Sequence, residues 1–318
     1  MIEGIPKISV LVICYNQENV ISRAIDSLLA QKDYIYEICV SDDCSKDRTW
    51  EILQEYSCQY PGLFVLNRNE PNVGIFENIE KTWTMPTGDL IYSLSGDDEC
   101  GEDWFKSVIG YICENNIEYT KKNITIYGDY QCCYPSGDSF IFSNKSVLTG
   151  IDPVRLALRG IIGNRSSICS IGVVRQYVQV SRGKSHVAES AQDRQLQLFS
   201  EKSYYIPRVG NKYYARIGVS SNMNNLILHD RENIEPYCRQ VLIENGYQFK
   251  RQDIAYIHFK HEIAKRYRTK SILHMFKILW LRLISFDISI IYRELRIKRF
   301  VFALMMRMPH RSKINMSV

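Results

Sequence analysis

Residues 7–16 read KISVLVICYN, a near-continuous apolar run that stops at Tyr15 and Asn16. The run is short, rich in β-branched residues and apolar at successive positions, which predicts a strand buried on both faces. Two later runs repeat the plan. Residues 35–41 (IYEICVS) lead into Asp42, Asp43, Cys44, Ser45, Lys46 and Asp47, and residues 89–94 (DLIYSL) lead into Ser95, Gly96, Asp97 and Asp98. Between the first two strands, apolar residues at 20, 21, 24, 25, 28 and 29 have the spacing of one helix face over residues 19–30. A second helix is expected after Asp42-Asp43, with Ser45 as its cap, Asp47 and Glu51 near its start, and Pro61-Gly62 as its stop. Residues 63–66 predict a short third strand, and a polar loop with Pro71, Asn72 and Gly74 leads to a helix ending near Thr84.

This alternation predicts an α/β domain with a Rossmann-like, mainly parallel sheet, flanking helices and right-handed crossovers. In such sheets ligands bind beyond the carboxyl ends of the strands. Tyr15-Asn16, Asp42-Asp43 and Asp97-Asp98 stand at three such ends. One polar strand end is an ordinary turn. Three of them, two with paired acids, predict a site of concentrated negative charge, and the usual reason for one is a divalent cation shared with phosphates.

The remainder is less regular. Residues 124–131 and 139–143 predict strands around a Pro135-Ser136-Gly137-Asp138 turn, and 154–159 a short helix. An apolar run covers 168–174, a polar loop 181–190 and a helix 192–199. Residues 204–214 read as extended around Pro207, and the pattern is helical from 232 to near 307.

Composition narrows the class. The chain has 318 residues, 45% hydrophobic and 24% charged, with 9 Pro and 17 Gly, so disordered, collagen-like and low-complexity classes are excluded. Ten cysteines show no CxxC spacing, which argues against a zinc site, and Cys14 and Cys39 sit in apolar runs as small hydrophobes. The N-terminus has no basic region followed by a long apolar stretch, so the expectation is a cytoplasmic protein with reduced thiols. The net charge of +5 conceals an asymmetry: from Lys265 onward thirteen Lys/Arg face two acids, Asp287 and Glu294. A basic tail on an acidic body points to an anionic surface.

Two nucleotide motifs fail. CYNQEN follows the first strand where a dinucleotide fold needs GxGxxG, and Gly183-Lys184-Ser185 lacks the first P-loop glycine because residue 178 is Val. The acid pairs each admit two readings. Asp42-Asp43 either caps a helix or accepts hydrogen bonds from a base or ribose; Asp97-Asp98 is either a solvated turn or a cation site, since adjacent carboxylates repel without compensation.

Four elements in order, VLVICYNQE, VSDDCSKDRT, the Asn72-Val73-Gly74 loop and GDLIYSLSGDDE, resemble the first half of a family 2 glycosyltransferase of GT-A fold over roughly residues 7–105. More loosely, Ala191 to Leu196 (AQDRQL) resembles the start of the helix that carries the family's base, and YYARIGVS at 213–220 its closing Arg-and-Ser segment. The resemblance implies a nucleotide-diphospho-sugar donor, a divalent metal (Mn²⁺ or Mg²⁺) and inversion at the anomeric carbon. It places Asp97 and Asp98 on the metal motif, Asp42 and Asp97 with Tyr15 and Asn16 around the donor nucleotide, and Asp193 as catalytic base. Glu189 and Arg216 are further candidates, for the acceptor or base and for a phosphate. Ser95 stands where the family's acidic motif often begins with Asp, and Gln192 where Glu often precedes the base.

The tail has one face with Lys270, Lys277, Arg282, Arg293 and Arg296 and another with Leu273, Phe276, Trp280 and Leu283, with no uninterrupted ~20-residue apolar run to span a bilayer. Such a helix either lies on an anionic membrane or packs on the protein itself. The expected organisation is a nucleotide-sugar-binding half at 1–105, an acceptor-binding half at 106–225 and a basic helical extension at 226–318. The expected function is an inverting, hexosyl-type, metal-dependent glycosyltransferase acting on a surface-polysaccharide or lipid-linked glycan, peripheral to the inner face of the membrane and without a nucleic-acid partner. Its alternatives are a nucleotidyltransferase and a catalytically inactive sugar-nucleotide- or membrane-binding protein.

Overall fold

A computed structural model describes residues 5–144, 166–181, 196, 198–214 and 243–244. The chain divides into two units, 1–248 and 249–318, and every described residue belongs to the first. The expected helix at 154–159, all of the expected 181–190 loop but Ser181, which ends a helix, and the basic tail lie outside the described residues.

The first half follows the sequence closely. Strand β1 (Ile8–Cys14) leads through α1 (Ile21–Leu29) to β2 (Glu37–Asp42), and α2 (Thr49–Gln59) leads to β3 (Phe64–Arg68). Helix α3 (Ile75–Thr82) then carries the chain back across to β4 (Leu90–Ser95). β1 pairs in parallel with β2 and β4, and β2 with β3, giving the order β3-β2-β1-β4. The order reverses between β1 and β4, which makes their carboxyl ends the crevice where such sheets take ligands. β1 is buried along all but one residue, as its continuous apolar run requires, and β2 is buried along its whole length, Glu37, Ser41 and Asp42 included.

The rest of the sheet is mixed. After β5 (Glu99–Cys100) and α4 (Trp104–Glu114) come β6 (Ile124–Cys133) and β7 (Ser139–Phe142), an antiparallel pair. β8 (Ser167–Ser170) lies antiparallel between β4 and β6, and α5 (Ile171–Ser181) follows it. β9 (Lys202–Tyr214) runs parallel to β6 and ends antiparallel to β5. The β6–β9 register jumps from Tyr127↔Tyr205 to Asp129↔Val209, a bulge that absorbs Pro207, whose ring nitrogen cannot donate to a ladder.

Three elements differ from expectation. The apolar run at 168–174 is divided between β8 and α5, because a short run identifies burial and not its backbone period. Helix α2 starts at Thr49 without a side-chain cap, so Ser45 serves elsewhere. β3 extends to Arg68 because Asn67 and Arg68 still pair with Ser41 and Asp42 in the ladder. The nine cysteines among the described residues are all free thiols, and no described helix is long and apolar enough to cross a membrane.

One apolar core gathers α1, α4 and the strands, with Trp104 and Phe105 fully buried and Tyr92 edge-on to Phe105 at 5.2 Å. The far half is tied to this core through backbone. Tyr92 donates its hydroxyl to the Gly210 carbonyl (2.7 Å), and Gly101 N–H donates to the same carbonyl (3.1 Å). A Cβ at Gly101 would stand 1.8 Å from the Val209 carbonyl oxygen, so only glycine lets β5 approach β9. Gly101→Ala is expected to destabilise the fold by about 1–3 kcal/mol or more, the cost of overpacking against unyielding backbone. Thermal unfolding should read it as a fall of several degrees, and an unchanged midpoint would contradict this close approach.

Candidate active site

Strand register brings the polar clusters together. Cys14 is level with Asp42, and Ile13 with Ser95, so Tyr15-Asn16, Asp42-Asp43 and Asp97-Asp98 crown three adjacent strands. Gly96 packs against the β1–α1 loop: a Cβ there would meet the Gln17 side chain at 2.2 Å and Cys14 Cβ at 3.1 Å.

Asp42 is fully buried. Its oxygens accept from Ser45 N–H (3.0 Å) and the Ser45 hydroxyl, and Arg68 Nε lies 3.5 Å away. A buried carboxylate needs such compensation. Ser45 also accepts from Asn16 N–H (2.9 Å), and Asn16 Oδ1 accepts from Lys46 N–H (2.8 Å), which joins the β1–α1 loop to the β2–α2 loop. Asp47 extends the join by accepting from Glu18 N–H and from Thr49. Burial pushes the Asp47 carboxyl up, but these hydrogen bonds outweigh it and hold it below the usual carboxylate range. Burial, then the neighbouring Asp42 charge, pushes the Cys14 thiol well up, so it packs as an unreactive group. The join leaves Tyr15 at the surface, 42% exposed, beside Asn16 in a left-handed backbone conformation.

Asp43 is also buried, and it faces the other way. It accepts from Asn69 Nδ2 (3.0 Å), Val73 N–H (2.9 Å) and Gly74 N–H (2.9 Å). Asn72 Nδ2 donates to its carbonyl (2.6 Å). Gly74 has φ 88°, a conformation that favours glycine, at the N-terminus of α3. Beneath them Asn69, Asn78, Ser41 and Asn67 form a hydrogen-bonded chain between β2, β3 and α3.

Asp98 is buried and accepts from Tyr214 N–H (3.1 Å), while Asp97 is half-buried and its carbonyl accepts from Arg23 Nη2 (2.6 Å). The next acid, Glu99, receives Arg23 Nε (3.1 Å), the Tyr214 hydroxyl (2.6 Å) and Lys212 Nζ (3.7 Å). Among the described residues no group of three or more His, Cys, Asp or Glu could hold a metal ion by itself. Asp193, Glu189 and Arg216 lie outside the described residues.

The structure thus brings together every described candidate, Tyr15, Asn16, Asp42, Asp97 and Asp98, and adds Ser45, Arg68, Asp43, Arg23, Glu99 and Tyr214. These partners leave little sign in the sequence. Arg23 reads as an ordinary polar-face helix residue, and Tyr214 is separated from the acids by more than a hundred positions.

Residues 9–131 match the family described as Glycosyl transferase family 2. An uncharacterized protein of Mycobacterium tuberculosis is 34% identical over 91 residues, 28% of this chain and 26% of that protein. A putative glycosyltransferase, EpsE of Bacillus subtilis, is 32% identical over 93 residues, 29% of this chain and 34% of EpsE. The dTDP-rhamnosyl transferase RfbG of Shigella flexneri is 29% identical over 142 residues, 43% of this chain and 47% of RfbG. The matches therefore span less than half of these relatives' length. Among solved structures, S. aureus TarS in complex with UDP-GlcNAc has a TM-score of 0.57 at 15% identity, over 86% of this chain and 79% of that one. The fold is thus the GT-A type, a curled mixed sheet with flanking helices.

Asp43→Ala would leave three donors around a buried space without an acceptor. Each such group costs about 1–3 kcal/mol, so a loss of at least ~2 kcal/mol is expected. Urea unfolding would read the loss. Amide hydrogen exchange should rise first at Val73 and Gly74, and unchanged protection there would contradict the docking role of Asp43.

Proposed function

We propose, for a chain whose residues 9–131 match glycosyltransferase family 2, that it moves a sugar from a nucleotide-diphosphate donor to a hydroxyl of a surface-polysaccharide or lipid-linked glycan. The observation that carries this reading is the convergence of Tyr15-Asn16, Asp42-Asp43 and Asp97-Asp98 on three adjacent strand ends. UDP is the nucleotide we assign. It accompanies TarS in two structures of this fold, and RfbG is named for a dTDP-sugar. Uracil and thymine share one hydrogen-bonding edge, an N–H between two carbonyls. Tyr15 offers an exposed ring against which such a base can stack. In this reading Asp42 serves the nucleotide through the Ser45–Asn16 loop that its buried carboxylate holds.

Asp97 and Asp98 would hold a divalent cation, Mn²⁺ or Mg²⁺. Their donor set fits: both groups are hard oxygen ligands, and such cations are commonly bound by one or two carboxylates plus substrate phosphates, with no larger protein cage. A cation there supplies neutralisation of the charge on the departing nucleotide diphosphate. Asp193 takes the proton of the acceptor hydroxyl as that oxygen attacks the anomeric carbon from the face opposite the leaving group. One displacement inverts the configuration and needs no covalent intermediate. Arg216 pairs with a donor phosphate, and Glu189 is the reserve candidate for the base.

Nucleotide diphosphate release, measured with and without acceptor glycans, tests the reading. A nucleotidyltransferase would release pyrophosphate, and an inactive binding protein would release nothing. Asp193→Asn keeps the side-chain shape and removes the proton acceptor, so transfer should fall by about 10²–10⁴-fold while UDP binding persists. Transfer at the wild-type rate would move the base elsewhere.

The basic tail is proposed to hold the enzyme on the cytoplasmic membrane face. Each Lys or Arg near an anionic surface contributes ~1 kcal/mol, and salt screens it. Removing residues 266–318 should release the protein from anionic vesicles at low salt while nucleotide binding survives. Full-length protein that ignores such vesicles would overturn the membrane reading.

A further inference from the structure

Three successive acids follow β4, Asp97 and Asp98 in the turn and Glu99 at the start of β5, and their charges repel unless something compensates them. The structure treats the third differently from the other two. One oxygen of Glu99 meets Arg23 Nε (3.1 Å) and accepts from the Tyr214 hydroxyl (2.6 Å), and the other faces Lys212 Nζ (3.7 Å). Two cations and a hydroxyl thus engage both of its oxygens. The same partners reach past Glu99 to the pair. Arg23 Nη2 donates to the Asp97 carbonyl (2.6 Å), and Tyr214 N–H donates to Asp98 Oδ1 (3.1 Å). The guanidinium carbon of Arg23 lies over the Tyr214 ring, 3.7 Å from its centroid. Arg23 from α1 and Tyr214 from β9 therefore both hold the acids after β4 and contact each other.

We propose that Arg23, Glu99 and Tyr214 form a clamp that positions the Asp97 and Asp98 carboxylates for the divalent cation, with Glu99 withheld from the ligand set. The proposal rests on the reading of Asp97-Asp98 as the cation pair. It assigns positioning roles to three residues, in place of direct roles as ligands of the cation. The guanidinium works here as a planar fork that binds a carboxylate and a carbonyl at once while stacking on a ring, and a lysine ammonium cannot reproduce that. Partners that orient metal ligands typically matter by about 10–100-fold in metal affinity.

The test titrates Mn²⁺ into full-length protein with UDP present and no acceptor, following the free-ion signal by electron paramagnetic resonance, so that no turnover enters the readout. Thermal unfolding without metal is measured in parallel. Arg23→Met is expected to weaken Mn²⁺ binding by about 10–100-fold. Arg23→Lys should resemble Arg23→Met and not wild type, because it is the fork and not the charge that positions the turn. Tyr214→Phe loses one hydroxyl and keeps both the ring and the backbone N–H, so it carries the test if Arg23→Met fails to fold, with a weakening of about tenfold expected. Wild-type Mn²⁺ affinity in folded Arg23→Met or Tyr214→Phe, with binding lost in Asp98→Asn, would overturn the clamp and keep the cation pair. A lowered melting temperature with unchanged Mn²⁺ affinity would overturn it too, as a structural contact only. Wild-type affinity in Asp98→Asn, or no Mn²⁺ binding by the wild type, would overturn the cation pair and the clamp with it.

Discussion

Two adjacent carboxylates buried at the end of β2 set the conditions for everything around them. Asp42 and Asp43 are almost wholly removed from water, and an isolated buried charge is too costly to persist. Each is compensated by a different piece of chain. Asp42 takes Ser45 and Arg68, which fixes the loop after β2 and, through Ser45, the loop after β1. Asp43 takes Asn69 and the amides of Val73 and Gly74, which fixes the loop before α3. Because successive side chains of an extended chain point to opposite faces, neighbouring acids face opposite ways and organise different loops. The wall that supports Tyr15 and Asn16 is a consequence of that charge compensation.

The other wall has a different origin. Asp97 and Asp98 sit on a turn that the parallel half of the sheet places but does not hold. What holds it is the end of β9, delivered by the bulged β6–β9 ladder, together with Arg23 from α1. The backbone contact of Gly101 with Val209 and Gly210 sets how close β9 can come. The acidic turn is therefore a joint product of both halves of the sheet.

The two kinds of polar grouping also differ in what they can do. The Asp43–Asn69–Asn78–Ser41 network is buried and mutually satisfied, which suits it to rigidity and leaves it no chemistry to perform. Asp97 is half-buried at the rim, and Tyr15 is open to solvent. Exposed groups on rigid supports are what a binding site requires, because their geometry is set before the ligand arrives.

The sequence by itself determined the order of strands and helices through Ser95, the burial of β1, and the meeting of three polar clusters at the carboxyl ends of the strands. These follow from local signals: a continuous apolar run reports a doubly covered strand, and alternation with helices reports parallel pairing. It also supplied the family resemblance that the match over residues 9–131 bears out. Tertiary structure alone decided the rest. That Ser45 binds Asp42 and leaves α2 uncapped, and that an apolar run at 168–174 changes from strand to helix midway, depends on neighbours distant in sequence. So does the difference in partners within Asp97-Asp98-Glu99. Three acids in a row are alike as letters, and only Arg23, Lys212 and Tyr214, converging from α1 and β9, make the third one different.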